Sequence, residues 1–177
     1  MPLLERLLGR LFPPAVEPAA TLRHRAGLRV TVRGRVVPRD SITSPLSGER
    51  CVYYRYLVEE YRASSVPMGA GGGLWVAVER DEAICEFYLE DETGRALVMV
   101  EEDRVEVEDA GQADPVEVPQ GQRATERRIV TGDLVEVHGA GGEIADTLDE
   151  NRGYREDAAR GLVRAVDDGV LRIRVIR

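Results

Sequence analysis

The side chains with which this chain could do chemistry are two cysteines, two histidines, a few loop serines and several runs of carboxylates. A metal centre needs thiolate or imidazole ligands converging at motif spacing. Cys51 and Cys85 stand well apart, His24 and His138 stand further apart still, and none has a second such ligand beside it in the sequence. No metal site and no cofactor are expected. Nucleophilic catalysis needs a Ser or Cys with a base and an orienting acid. Ser44 and Ser47 share their stretch with Pro45 and Gly48, the residues of turns, and lie outside any Gly-x-Ser-x-Gly elbow. The carboxylate runs Glu59-Glu60, Glu90-Asp91-Glu92, Glu101-Glu102-Asp103 and Glu106-Val107-Glu108-Asp109 look better suited to acid/base work. Sequence neighbours on a strand point to opposite faces, however, so adjacency does not make a catalytic pair. The stretch 101–109 reads instead as a solvated strand edge that discourages sheet-to-sheet aggregation. No catalytic residue is assigned, and the chain is read as non-enzymatic.

Those residues sit in a chain of 177 residues with a formal charge of −8 and a pI near 5.0. One domain is expected, and a chain of this size buries about 70% of its unfolded surface without help from disulfides or metals. All 24 basic residues are arginine, so no lysine amine is present for Schiff-base chemistry. The acidic balance disfavours a polyanionic partner such as nucleic acid. Cys51 and Cys85 fall in segments that read as buried strands, where a free Cys serves as a small hydrophobe. No apolar run approaches the ~20 residues that span a bilayer. A cytoplasmic protein is expected, with a peripheral position at the inner face of the membrane left open.

Three regions are expected along the chain. Residues 1–14 carry a helical stripe of Leu3, Leu4, Leu7, Leu8, Leu11 and Phe12, with Glu5, Arg6 and Arg10 opposite, ended by Pro13-Pro14. Residues 15–26 read as a linker. From residue 27 to 177 the period becomes that of strands. Val30 and Val32 alternate with Arg29, Thr31 and Arg33, and Gly34 suggests a bend. A strand over residues 51–62 and a return strand over 74–79 flank a glycine-rich loop, forming a long hairpin. A second hairpin joins residues 84–90 to 96–101 through Asp91-Glu92-Thr93-Gly94-Arg95, with Asp91 accepting from turn amides and Gly94 at positive φ. A strand over 134–138 is broken by Gly139 to Gly142, Thr147 with Glu150 suggests a capped helix, and residues 162–166 and 170–176 suggest a closing hairpin.

One ordered set of these features resembles a known domain. Ser44-Pro45-Leu46-Ser47-Gly48 leads into Cys51-Val52-Tyr53-Tyr54, followed by a lone Trp75 and then Phe87-Tyr88-Leu89-Glu90-Asp91-Glu92-Thr93-Gly94. This order resembles the GIDE domain, a membrane-adjacent β domain of a mitochondrial ubiquitin E3 ligase and of many bacterial and archaeal proteins. The resemblance covers residues 27–139 and gives Ser44, Pro45, Gly48, Cys51, Tyr53, Asp91 and Gly94 structural roles. The RING zinc ligands and the transmembrane helices of family members have no counterpart here, so ubiquitin transfer is not implied. Apart from that resemblance, roughly eight or nine strands with one helix argue for a mainly β fold. Leu89-Glu90-Asp91-Glu92-Thr93-Gly94 before an alternating strand looks like strands two and three of an OB-fold. An OB-like antiparallel barrel with a long inserted hairpin and an N-terminal amphipathic helix is favoured over a two-sheet sandwich. The function that the resemblance implies is a protein-interaction module acting in a larger or membrane-adjacent assembly, with a protein partner or a second copy. Its candidate surface is the 3–12 stripe with Tyr54 and Trp75, and contact of residues 1–12 with a membrane surface is a variant of that reading. The alternatives are an OB-fold binder of single-stranded nucleic acid, using Arg29, Arg33, Arg35 and Arg55 as a basic stripe, and an uncharacterised hydrolase.

Overall fold

The computed structural model describes residues 15–63, 72–108, 114–116, 118–144, 161–166 and 169–176. The apolar stripe at residues 3–12 and the capped helix expected after Thr147 lie outside these residues. In chain order the strands are β1 (Val16–Glu17), β2 (Arg29–Pro38), β3 (Ile42–Thr43), β4 (Arg50–Cys51), β5 (Tyr53–Ala63), β6 (Gly73–Ile84) and β7 (Phe87–Asp91). They continue as β8 (Gly94–Val98), β9 (Val105–Glu108), β10 (Asp114–Val116), β11 (Gln122–Ile129), β12 (Leu134–Glu143), β13 (Gly161–Arg164) and β14 (Leu171–Val175).

Five of them close a barrel. β2 pairs with β7, β7 with β8, β8 with β13, β13 with β12, and β12 returns to β2. The β8–β13 contact is parallel and the other four are antiparallel. The alternation in β2 does what its sequence requires: Val30, Val32 and Val36 are buried while Arg29, Arg33 and Arg35 face out. Phe87 and Leu89, Ala96 and Val98, Val135 and Val137, and Val163 complete the inner layer, which Leu171, Ile173, Tyr53 and Ile129 extend. β14 and then β9 add to β12 outside the ring, leaving β9 as an edge with Glu106 and Glu108 exposed. This is the charged edge expected of that stretch, braced by ion pairs from Arg172 to both carboxylates.

Several sequence expectations change. The stretch 15–26 is packed against the barrel rather than forming a linker. After β1 it forms a 3-10 helix (Ala19–His24) whose Ala19 and Leu22 are fully buried in the main core. That helix is too short and too poor in apolar residues to show a period, and Asp91 anchors it from a distant turn: its Oδ2 accepts from the Ala19 amide at 2.8 Å. The Gly139 to Gly142 run does not break its strand, because β12 passes straight through it. A Cβ at Gly139 would lie 2.3 Å from the Arg164 carbonyl oxygen, and one at Gly141 2.9 Å from that of Arg25. Glycine here permits close approach within the closed barrel rather than a turn. Residues 161–164 and 171–175 do not pair as a hairpin; they lie end to end along one side of β12. The long hairpin β5–β6 is present, and its return strand runs for 12 residues, well beyond residues 74–79.

Candidate interaction surface

The long hairpin recruits two further strands into a second sheet ordered β10-β11-β5-β6. β11 is not legible in the sequence because its run Gln122-Arg-Ala-Thr-Glu-Arg-Arg-Ile129 offers few apolar residues. Its alternation becomes visible only once Glu126 is known to be buried. Register fixes the two faces. Tyr54, Tyr56 and Val58 of β5 stand opposite Arg128, Glu126 and Ala124 of β11 on one side. Arg55, Leu57 and Glu59 stand opposite Arg127, Thr125 and Arg123 on the other.

The first face is covered. Cys51, Tyr54, Tyr56, Val58 and Ala124 form a second core, against which Ile42, Leu46, Val116 and Val118 pack. Tyr54 is therefore not an exposed interaction residue. It is 8% exposed, its ring is stacked on Tyr56, and its hydroxyl donates to Asp81 at 2.9 Å. Neither tyrosine set is left outside, because Tyr53 enters the barrel core while the loop around Ser44 closes over the opposite side of β5. Tyr53 and Tyr56 likewise donate to β6 carboxylates, Glu82 at 2.8 Å and Glu79 at 2.7 Å. Three such bonds tie the base of the hairpin, where β5 starts and β6 ends. Burial and the Glu82 bond push the Tyr53 phenol far above its ordinary range, and the Glu79 bond takes that of Tyr56 up to about 12.

The Ser-Pro loop is latched from beneath. Ser44 is buried, and its hydroxyl donates to Oε1 of Glu126, itself only 1% exposed. The other carboxylate oxygen lies 3.1 Å from Nε of Arg128 but has no hydrogen-bond partner among the described residues. Arg128 also donates to the Ser47 hydroxyl at 3.1 Å and pairs with Glu49, so one guanidinium holds the far end of the turn while Glu126 holds Ser44. Within the loop the Gly48 amide donates to the Ser44 carbonyl at 3.0 Å, and Gly48 takes φ +72°, which favours glycine. Pro45 is exposed in this turn. Cys51 lies at the loop's end with its thiol against the Ile42 carbonyl, and its pKa is raised by burial and by Glu126. Burial raises the Cys85 thiol as well. These are the features of packed thiols rather than poised nucleophiles.

Asp91 behaves as its motif suggests. Its Oδ1 accepts from the Thr93 amide at 2.7 Å and the Gly94 amide at 3.1 Å, with Gly94 at φ +142°. Burial raises the Asp91 pKa, but the bonds from Thr93, Ala19 and Gly94 outweigh it and leave the carboxyl below its usual range.

The second face of the hairpin sheet is open. Tyr61 and Trp75, opposite each other towards the tip of the β5–β6 arm, are exposed large hydrophobics on it; exposed Leu74, opposite Arg62, lies on the other face, and exposed Val78 stands at the bulge in β6. Trp75, 37% exposed, is held by an edge-on contact with Tyr61 at 5.5 Å and by the Arg123 guanidinium 4.6 Å from its ring centre. Arg123 is in turn clamped by both oxygens of Glu59, at 2.7 and 3.0 Å. Of the basic stripe considered for nucleic acid, Arg29, Arg33 and Arg35 share the outer face of β2. Arg33 pairs with Glu136, Arg35 donates to the Gly132 carbonyl, and Arg55 belongs to the other sheet. His138 bonds the buried Thr31 hydroxyl at 2.8 Å, while His24 accepts from Arg23, so the two imidazoles serve separate local networks.

Among the described residues no group of three His, Cys, Asp or Glu side chains could hold a metal ion, and no helix is long and apolar enough to cross a membrane. No protein-family model matches the chain, and no curated protein or solved structure matches it either.

Proposed function

We propose that this protein is a non-enzymatic interaction module of GIDE type, and that its docking element is the β5–β6 arm. The observation that carries the proposal is the concentration of Tyr61, Leu74, Trp75 and Val78 between the bulge and the tip of the arm, on strands braced at their base by three tyrosine–carboxylate bonds. An exposed Trp held edge-on by a Tyr and capped by an ion-paired Arg is already ordered before a partner arrives. Such anchors carry most of the energy of protein interfaces because little entropy is lost on docking. The ring order β2-β7-β8-β13-β12, with its one parallel contact between β8 and β13, supports the OB-like reading of the barrel. The order of the Ser-Pro loop, the Cys51 strand, Trp75 and the Asp91 turn supports the GIDE resemblance. In this reading the barrel is a rigid base and the arm is the part that meets another protein. A scaffolding or sensing role in a larger assembly follows, with membrane proximity supplied by that assembly or by residues 1–12.

The test is retrieval of the tagged protein from its own host, intact and as Leu74→Ser/Trp75→Ala. Loss of two anchor side chains is expected to cost about 2 kcal/mol or more of binding, a roughly thirtyfold weaker affinity that shows as a clear loss of retained partner. Equal retention by a variant that melts like the parent would overturn the assignment of the arm.

A further inference from the structure

Among the described residues, the open face of the second sheet carries more arginines than carboxylates on an otherwise acidic protein. Across β11, β5 and β6 its charged residues are Arg123, Arg127, Arg55 and Arg80 against Glu59 and Glu82. Arg123 and Glu59 neutralise each other, while Glu82 accepts from the Tyr53 hydroxyl, keeps its charge and stands opposite Arg55. Arg55, Arg80 and Arg127 make no ion pair or side-chain hydrogen bond with any described residue. Arg55 stands between Arg127 on one neighbouring strand and Glu82 on the other, so one carboxylate answers three guanidiniums and the Arg55–Arg127 pair leaves room for a further anion. Arg80 lies opposite Leu57, one strand over and two residues along from Arg55, with half-buried Leu57 among the three.

We propose that this face receives an acidic, extended peptide segment of a partner protein. The inference rests on the arm being the docking element, and it names the chemistry of what docks. Strand spacing puts Arg127 about 5 Å from Arg55 and Arg80 about 8 Å from it at the backbone. Two carboxylates at i and i+2 of an extended segment, about 7 Å apart, match that span, and each can take a guanidinium in a two-bond fork. Leu57 offers an apolar floor between them. A peptide fits better than single-stranded nucleic acid for two reasons. The charge of −8 repels a long polyanion. Trp75 is no free stacking platform, because Arg123 already covers its ring.

Fluorescence anisotropy at low salt tests this with three labelled probes: a Gly/Ser decapeptide carrying four Glu at alternate positions, the same peptide with Gln, and an oligothymidylate of equal charge. The Glu peptide is expected to bind and the Gln peptide to fail. Arg55→Ala/Arg127→Ala is expected to weaken the Glu peptide by tenfold or more, and the single variant Arg80→Ala by a smaller factor. Each variant is accepted only if it melts like the parent, and Arg55→Gln serves if the double variant does not fold. No Glu-peptide binding, or binding indifferent to these arginines, would overturn the inference. Tighter oligothymidylate binding through the same arginines would overturn it in favour of nucleic acid. If a host partner is lost in Leu74→Ser/Trp75→Ala but kept in Arg55→Ala/Arg127→Ala, the acidic-peptide inference fails while the arm stands.

Discussion

Glu126→Ala is the substitution through which the latch beneath the Ser-Pro loop can be weighed. The carboxylate is 1% exposed, accepts from the Ser44 hydroxyl, and lies 3.1 Å from an Arg128 whose side chain is 15% exposed. Breaking one partner of a buried ion pair commonly costs about 3–5 kcal/mol, since the other charge stays behind without compensation. Arg128 is less exposed to that penalty here, because Glu49 and Ser47 still hold it. Ser44 is more exposed to it, because its buried hydroxyl loses its acceptor at a cost of about 1–3 kcal/mol. About 3 kcal/mol is therefore expected. For a two-state transition with a urea slope near 2 kcal/mol per molar, the midpoint should fall by about 1.5 M. Glu126→Gln keeps an acceptor for Ser44 and should lose about half as much. Glu126→Leu/Arg128→Leu should cost less than the two single changes together, since it removes both charges at once. Hydrogen exchange should locate the damage: the Gly48 and Ser44 amides, bonded inside the turn, should exchange faster while the barrel strands stay protected. A Glu126→Ala loss below about 0.5 kcal/mol, the range of ordinary surface changes, would refute the latch.

Two further outcomes are expected. Asp91 has a folded pKa below its unfolded value, so its contribution to stability is complete above the ordinary value of 3.8 and is lost as the pH falls through the lower folded value. Asp91→Asn should accordingly cost about 1–2 kcal/mol in neutral urea melts, with the gap to the parent closing under strongly acidic conditions; a constant gap would show that the charge is irrelevant. Cys51, 3% exposed and with a raised pKa, should react slowly with iodoacetamide in the folded protein, and Cys51→Ala should cost about 1–3 kcal/mol through the cavity it leaves. An unchanged melting curve with loss of partner binding would contradict its packing role.

Features that depend on local pattern were legible in the chain alone. The alternation in β2 announced a half-buried strand, Asp91 and Gly94 announced a hairpin turn held by amide bonds, and the glycine tract before Leu74 announced a long hairpin. Each follows from period two or from turn chemistry, which a few neighbouring residues settle among themselves. Tertiary structure decided everything that needed a distant partner. Gly139 and Gly141 look like strand breakers until a closed barrel brings the Arg164 and Arg25 carbonyls within reach of their absent side chains. Residues 19–24 look like linker until Asp91 caps them and the barrel buries Leu22. Tyr54 could have faced solvent on alternation alone, and only the loop latched by Glu126 decides that it does not. β11 is the clearest case. Its charges conceal a strand with one buried carboxylate on one face and three arginines divided between two sheet faces, because a salt bridge or a latch replaces the hydrophobicity that marks a strand in sequence. The open basic face was hidden for the same reason. Arg55, Arg80 and Arg127 are scattered through 73 positions of chain, and only the register of three strands sets them side by side.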